Sequence, residues 1–378
     1  MSKTKKINGV LAVFLSIIFS AIGFAVGFIG YKVYSDSNEL KGDTYYSKGL
    51  SIHFLELGNG YSGDCIYIKA GDNDILVDAG SRTNSVTTIK NYVDTYCTDG
   101  VLEYVIVTHA DQDHIACFAG DKTNKSIFDY YKCETIIDFA KTNKSTQTYQ
   151  NYVKNRDAEV ENDGAVHYTA LQCYNETDGA SKVYTLDDGI TLEILYNYFY
   201  ENNSSDENNY SVCFMLHQSD RNFLFTGDLE KEGEEKLVEN NTLPEVELFK
   251  AGHHGSKTSS NDCLLKVIKP KIVCVCCCAG SVEYTQNKDK TFPTQDFVNR
   301  VAPYTDKVYV TTTIDVKYDE TSAKYKDDGE YKLLNGNIVV YAKKSGVEVN
   351  CSNNNILLKD TEWFKANRIM PSAWQSVA

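Results

Sequence analysis

Several residue types are scarce in this chain of 378 residues, and each shortage excludes a class of protein. There are only five prolines, too few for a proline-rich disordered chain. Lysine and arginine total 38 against 52 aspartates and glutamates, which gives a formal charge of -14. Such a surface does not attract nucleic acid by bulk electrostatics, although a single basic groove is compatible with it. No C-x-x-C pair is followed by a second pair at zinc-ribbon spacing, which excludes that metal module.

The twelve cysteines resemble a disulfide framework in number but not in position. Four of them lie in the apolar run Val273-Cys274-Val275-Cys276-Cys277-Cys278, where neighbouring strand positions face opposite sides of a sheet. Free cysteine is among the most buried residue types and packs like a small apolar side chain. We therefore expect these thiols to lie in a protein core and not in disulfides.

One apolar run is long enough to cross a membrane. Residues 9–31 contain no charged residue, and a helix of this length spans a bilayer core of ~30 Å at 1.5 Å per residue. The run exceeds the ~7–15 apolar residues of a secretory signal, so an uncleaved anchor is favoured over a removed signal peptide. Lys3, Lys5 and Lys6 precede it, and the positive-inside rule then places the N-terminus in the cytoplasm and the rest of the chain outside.

The remainder of the chain predicts one α/β domain. Short runs with period-two alternation and glycine-rich turns predict strands, and stretches with helical spacing lie between them. There is no internal repeat and no clear linker between residues 50 and 350. We expect a cytoplasmic stub and transmembrane anchor at residues 1–34, a linker at 35–47, the domain at 48–352 and a C-terminal extension at 353–378.

Four side chains of metal-ligand type follow one apolar strand. Residues 102–107 predict the strand, and His109, Asp111, Asp113 and His114 come directly after it. A loop at the end of a strand can turn all four inward onto one or two cations. Imidazole suits zinc and similar ions, and carboxylate oxygens suit harder ions such as manganese. For this segment alone the alternative is a solvated acidic turn with two incidental histidines, because acidic surface loops are common.

Two further strand ends carry the same residue types. Asp228 comes just after the strand at residues 223–225. Burying a carboxylate at such a strand end costs free energy unless the carboxylate is paired or binds a metal. His253 and His254 follow the strand at residues 247–251. Three coincidences would be needed to make all these segments ordinary surface turns, so the sequence favours one metal site built from three strand ends.

The first of these segments resembles a known signature. His109-x-Asp111-x-Asp113-His114 resembles the H-x-H-x-D-H motif of the metallo-β-lactamase fold superfamily, with Asp111 in the place of the second histidine. The resemblance runs from about residue 48 to about residue 352. It implies a four-layer αββα sandwich, preceded here by one transmembrane helix, with the three ligand segments converging at one edge of the sheets.

The other two segments resemble one particular family within this superfamily. The Thr-Gly-Asp sequence ending at Asp228 and the sequence His253-His254-Gly-Ser-Lys-Thr-Ser are similar to the hydrolase domain of the ComEC family of DNA-uptake proteins and its stand-alone relatives. The sequence Ile-Leu-Val-Asp78-Ala-Gly matches the strand whose aspartate lies under the metal loop in that family. One apolar run cannot form a DNA pore, so only the hydrolase part of such a protein is expected.

The resemblance implies a site for two divalent ions, zinc or manganese, with ligands from all three strand ends. These ligands are His109 and Asp111 for the first ion, Asp113, His114 and one of the tandem histidines for the second, and Asp228 between them. His254 is favoured over His253, because the histidine before glycine resembles the last ligand of related enzymes. Many relatives have a third histidine for the first ion. His167 and His217 lack the family's local context, so Asn208 is nominated instead, and occupancy by one ion is the alternative.

The function implied is metal-dependent hydrolysis, with phosphodiester bonds favoured. Metal ions activate water in such sites, and Asp113 is expected to orient the water or accept its proton. Ser256, Lys257 and Asn208 are the expected substrate-binding residues, with a solvated surface lysine as the alternative for Lys257. Nucleic acid is one candidate substrate, which only the resemblance supports. The alternatives are hydrolysis of another ester, thioester or lactam, and a non-catalytic surface protein stabilised by metal.

Overall fold

The computed structural model describes residues 49–343 and 345–375. The expected membrane anchor at residues 9–31 and the linker at residues 35–47 lie outside these ranges. Within them, no helix combines the length and the hydropathy needed to cross a membrane. The prediction of an anchor therefore stays a prediction from the sequence.

Eighteen strands occur in the described ranges, and most are short. They are β1 (Leu50–Phe54), β2 (Ile66–Ala70), β3 (Asn73–Val77), β4 (Val101–Ile106), β5 (Lys132–Asp138), β6 (Val166–Thr169), β7 (Val183–Asp187), β8 (Ile190–Ile194), β9 (Phe214–Gln218), β10 (Arg221–Phe225), β11 (Leu248–Lys250), β12 (Ile272–Ala279), β13 (Val308–Thr313), β14 (Val316–Asp319), β15 (Lys324–Asp327), β16 (Lys332–Leu333), β17 (Ile338–Lys343) and β18 (Gly346–Cys351). The α-helices of the same ranges are Val86–Val93, Gln112–Ala119, Gln147–Ala158, Ala170–Asn175, Lys231–Asn240, Asp262–Ile268, Gln295–Val301 and Glu362–Asn367.

Two mixed eight-stranded sheets form the centre of the fold. The first has the order β18-β17-β1-β2-β3-β4-β5-β6, and the second has the order β16-β13-β12-β11-β10-β9-β8-β7. Strands β3 to β6 run parallel in the first sheet, and β10 to β13 run parallel in the second. The separate hairpin β14–β15 completes the strand inventory of the described residues.

The alternation of side chains along β12 shows how the layers are divided. Cys274 and Cys276 belong to the core that includes residues of both sheets, whereas Val273, Val275 and Cys277 belong to a second core. This second core is covered by helices such as Asp262–Ile268 and Gln295–Val301. Because neighbouring strand positions face opposite sides, one apolar strand supplies both cores, and the chain forms the α/β sandwich that the sequence predicted.

Aromatic rings hold the two sheets together. Phe225 of β10 stacks on Phe214 of β9 with ring centroids 4.5 Å apart, and it faces Phe54 of β1 in the other sheet at 6.5 Å. Full burial of one such side chain stabilises the fold by roughly 1.5–3 kcal/mol. The packing fixes β10, and with it the position of Asp228 just beyond the strand.

The C-terminal segment contributes to the second core. Phe364 of the helix Glu362–Asn367 is buried there, and its ring lies 5.8 Å from that of Trp374. Arg368 donates hydrogen bonds to the carbonyls of Pro293 and Thr291. The predicted C-terminal extension begins at residue 353. As far as residue 375, it therefore helps to cover the outer face of the second sheet.

Candidate metal centre

The first ligand segment connects a parallel strand to a helix. Strand β4 ends at Ile106, and the helix Gln112–Ala119 begins after Asp111, which has an extended backbone. This turn places Asp113 and His114 in the first turn of the helix, and both side chains are buried. The carboxyl end of a parallel strand followed by a helix N-terminus therefore holds two candidate ligands rigidly.

The second segment needs a close approach of two backbones. Gly227 has a φ of 53°, and a Cβ on it would lie 2.7 Å from the Oγ of Ser211. Glycine is the residue that tolerates both the left-handed backbone and this contact. The turn brings Asp228 back toward the site, where its amide donates to the Ser211 Oγ at 3.1 Å.

The tandem histidines lie in a short helical turn after β11. His253 and His254 both adopt left-handed backbones, with φ of 46° and 53°, a conformation that costs roughly 1–2 kcal/mol for each non-glycine residue. His254 is buried and His253 is half-buried, and only His254 belongs to the cluster described next. Strain of this kind is typical of functional sites.

Four buried side chains bring their ligand atoms together from both sheets. The atoms lie within 4.8 Å of one another, and they belong to Asp113, His114, Asp228 and His254. The Oδ2 of Asp228 lies 3.1 Å from the Nε2 of His114 and 3.2 Å from the Nε2 of His254. Two carboxylates and two imidazoles at these distances form a donor set suited to a divalent cation.

The outer nitrogens of both histidines, the Nδ1 atoms, face oxygen acceptors outside the four-residue cluster. The Nδ1 of His114 lies 2.7 Å from the Oδ2 of Asp78, and the Nδ1 of His254 lies 2.8 Å from the carbonyl of Cys276. Each Nδ1 therefore carries a proton that it donates outward, and Nε2 is the nitrogen that faces the cluster. Such outer hydrogen bonds are typical of metal-ligating histidines.

His109 provides a further open position beside the four-residue cluster. Its Nε2 is buried and has no hydrogen-bond partner among the described residues, and it lies 3.7 Å from the Oδ2 of Asp111. Burial lowers the pKa of His109 well below its usual value, so its imidazole is neutral near pH 7. A neutral, unpartnered imidazole nitrogen fits a metal ligand, and the residues present therefore fit the divalent ions that the sequence implies.

The charges around His254 also favour a cation at the cluster. Burial alone would lower its pKa, but the carboxylates of Asp228 and Asp64 raise the pKa to about 10. The pKa of Asp228 itself is well below its usual value, because His254, Lys250 and His114 outweigh the burial of the carboxyl group. The carboxylates that favour a proton on His254 also favour a cation in its place, since metal binding displaces protons from its ligands.

The remaining residues singled out in the sequence have different surroundings. Asp111 is paired with Lys144 at the rim of the site. Asn208 lies 3.4 Å from the Nδ1 of His253. Ser256 is buried and shares a hydrogen bond with Thr258, and Lys257 is exposed. A cavity of about 370 Å³ opens over the cluster, and its lining includes neither Ser256 nor Lys257 but consists of Arg82, Asp111, Gln112, Asp113, Asn208, Asp228, His253, Glu283 and Tyr284.

Lys250 is a site residue that the sequence reasoning missed. Its ammonium is 1% exposed, contacts the Oδ2 of Asp64 and lies 3.0 Å from the Oδ1 of Asp228. Burial would lower its pKa, but the two carboxylates hold the pKa well above the usual range. A lysine inside the otherwise apolar strand β11 was the available signal, because a buried lysine requires a partner.

The two tandem histidines should differ when each is replaced by alanine. His254→Ala removes a nitrogen from the cluster, so we expect metal affinity to fall at least as much as the roughly 10–100-fold typical of lost outer-shell contacts. His253→Ala should cause a smaller loss, because its Nδ1 faces Glu230 at 3.2 Å. Metal content after dialysis measures both, with His217→Ala as a control outside the site. Equal losses for His253 and His254 would contradict this assignment.

Comparison with known proteins agrees with this geometry. Residues 58–120 and 206–279 match the model of the metallo-beta-lactamase superfamily. The chain is 26% identical to ComE operon protein 3 of Bacillus subtilis over 175 residues, which is 45% of this chain and 19% of that protein. It is 30% identical to Recombination protein 2 of Haemophilus influenzae over 69 residues, 18% of this chain and 8% of that protein. The matches thus span less than a fifth of each curated relative.

One of the solved structures that the chain matches is the metallo-beta-lactamase fold protein YhfI from Bacillus subtilis. It has a TM-score of 0.41 and 11% sequence identity, and the match covers 69% of this chain and 96% of that one. The matched family segments contain His109, Asp113, His114, Asp228 and His254. Over these two segments the chain is similar to the metallo-beta-lactamase superfamily.

Proposed function

We propose that the chain hydrolyses phosphodiester bonds. The observation that carries the proposal is the buried Asp and His cluster, which opens onto a cavity that Arg82 also lines. Asp113, His114, Asp228 and His254 would hold the divalent ions, which would supply an activated water and stabilise negative charge on a phosphoryl oxygen. Arginine is suited to bind the charged oxygens of the same group.

Side chains of the protein position the attacking water. Asp113 orients the attacking water or accepts its proton. The hydroxyl of Tyr284 donates to the Oδ2 of Asp113 at 2.5 Å, and the Nε2 of His254 lies 3.2 Å from the same oxygen. These two contacts fix the carboxylate, so that it does not have to be ordered when substrate binds.

The relatives support the choice of a phosphodiester. One of them is named as a recombination protein, and recombination requires phosphodiester bonds to be broken and joined. The formal charge of -14 opposes binding of nucleic acid by the whole surface. Recognition must then come from the cavity itself.

Asp113→Ala is expected to reduce kcat at least tenfold, a loss of about 1.4 kcal/mol in transition-state stabilisation, with the fold retained. The measurement uses purified full-length protein with measured metal content and three substrates: bis-p-nitrophenyl phosphate, single-stranded DNA and nitrocefin. Wild-type hydrolysis of either phosphodiester supports the proposal.

Two results would contradict it. An Asp113→Ala protein that keeps more than about a tenth of the wild-type kcat would remove the proposed role of that carboxylate. Wild-type protein that binds no metal would favour a non-catalytic surface protein, and hydrolysis of nitrocefin alone would favour a lactam substrate.

A further inference from the structure

One wall of the cavity is built from residues that do not belong to the four-residue cluster. Arg82 follows β3, and Glu283 and Tyr284 follow β12 in the other sheet. The guanidinium of Arg82 pairs with Glu283 across the two loops. Glu283 also accepts a hydrogen bond from the amide of Ser62 at 3.1 Å. Three separate segments are therefore joined at this wall.

Two exposed tyrosines accompany this wall: Tyr284 lines the cavity, and Tyr61 lies outside it against Arg82. The ring of Tyr61 lies 4.0 Å from the Cζ of Arg82 and is 42% exposed. Tyr284 is 48% exposed, although its hydroxyl reaches Asp113 and its ring lies 5.5 Å from that of Phe292. A single exposed ring is ordinary on a protein surface, but two exposed rings and a guanidinium together resemble the surfaces on which bases stack.

The loop that carries Tyr284 is held in place from outside the cavity. Asp327, at the end of β15, accepts hydrogen bonds from the Oγ of Ser281 at 3.2 Å and from the amide of Val282 at 3.1 Å. The loop is thus anchored two residues before Tyr284. A surface held in its binding geometry loses little conformational entropy when a ligand arrives.

We propose that Tyr61, Arg82 and Tyr284 form a binding site for one nucleotide of the substrate strand. The nucleobase stacks on the exposed ring of Tyr61, Tyr284 borders the same site, and the adjoining phosphate accepts hydrogen bonds from Arg82. Aromatic side chains beside a cation are the usual means of holding single-stranded nucleic acid without reading its sequence. This proposal rests on the proposed phosphodiesterase function and names the substrate class for it.

The charge of the chain makes stacking necessary. A protein with a formal charge of -14 repels a long phosphate backbone, and Arg82 already pairs with Glu283. Phosphate contacts alone would then give weak binding. The bases must contribute, so a strand with bases should bind more tightly than a strand that has only the sugar-phosphate backbone.

The test compares two phosphorothioate-linked strands of ten nucleotides, one of thymidine and one abasic, on full-length metal-loaded protein. The phosphorothioate linkage slows hydrolysis, and fluorescence anisotropy gives the Kd of each strand. We expect the wild type to bind the thymidine strand about tenfold more tightly than the abasic strand. Tyr61→Ala should remove this preference, and Tyr61→Phe should keep it because the ring remains.

Two further variants separate stacking from other effects. Arg82→Gln should weaken binding of both strands to a similar extent, because a phosphate contact does not depend on the base. Tyr318→Ala removes an exposed tyrosine of the hairpin β14–β15 and should change neither Kd. Equal binding of the two strands by the wild type, or an unchanged preference in a folded Tyr61→Ala protein, would overturn the site.

Hydrolysis of bis-p-nitrophenyl phosphate is measured on the same preparations. A wild type that hydrolyses this diester but does not distinguish the two strands overturns the nucleotide site and leaves the phosphodiesterase function standing. A wild type that hydrolyses no phosphodiester overturns the proposed function instead.

Discussion

Asp228→Ala is expected to reduce phosphodiester hydrolysis by at least about a hundredfold, or about 2.7 kcal/mol. Its carboxylate lies 3.1 Å from the Nε2 of His114 and 3.2 Å from that of His254, so its loss removes the carboxylate that faces both imidazoles. The amide of His253 also donates to its Oδ1 at 3.1 Å, so the histidine turn loses a contact as well. Steady-state kinetics and metal content on the same preparation measure the effect.

The control for this substitution is Asp188→Ala. Asp188 is an exposed residue in the turn between β7 and β8, and its replacement should leave both metal content and kcat unchanged. Asp228→Asn keeps the shape of the side chain and lowers only its charge and basicity, so it separates misfolding from loss of the metal site. Wild-type metal content and activity in Asp228→Ala would show that the cluster is not the catalytic centre.

Lys250→Met is expected to lower the free energy of unfolding by about 3–5 kcal/mol, because two buried carboxylates lose their shared counter-charge. Asp64 and Asp228 are each 1% exposed and cannot recover hydration when the ammonium is removed. Net stabilities of domains are only about 5–15 kcal/mol, so a loss of this size threatens folding. Urea denaturation of the metal-free protein measures it.

Two further variants show whether the loss of stability comes from the unpaired carboxylates. Lys271→Met removes an exposed lysine that pairs with Glu247 at the surface, and it should cost less than about 1 kcal/mol. The double variant Asp64→Asn with Lys250→Met should recover part of the loss, because one of the unpaired carboxylates is then neutral. A Lys250→Met protein within about 1 kcal/mol of wild type would mean that the carboxylates find other partners.

The sequence identified the parts of the site that are local in the chain. His109, Asp113 and His114 occur together after one strand, and Asp228 and His254 each follow another, so strand ends and residue types were sufficient to predict a shared site. The α/β sandwich followed from the same strands and from the family resemblance. Strand registers and the order of the sheets depend on pairings between distant segments, which no local pattern encodes.

The remaining site residues become visible only when the chain is folded. Lys144 reaches Asp111 from a segment without strand or helix periodicity, and Tyr284 reaches Asp113 across 171 positions of the chain. The helix Gln147–Ala158 buries only Tyr152, so its apolar pattern is too weak to define a face. Contacts of this kind depend on tertiary packing, which a single sequence does not reveal.

The reactivity of the buried cysteines can report local unfolding of the domain. All twelve thiols are free, and ten of them are buried, including the alternating set on β12. Burial raises the pKa of Cys276 and Cys277 well above the usual value, so little thiolate is available in the closed state. An alkylating reagent should therefore modify Cys263 and Cys351 first and the others only as their surroundings open. The order of labelling along the chain would then map which part of the sandwich separates first.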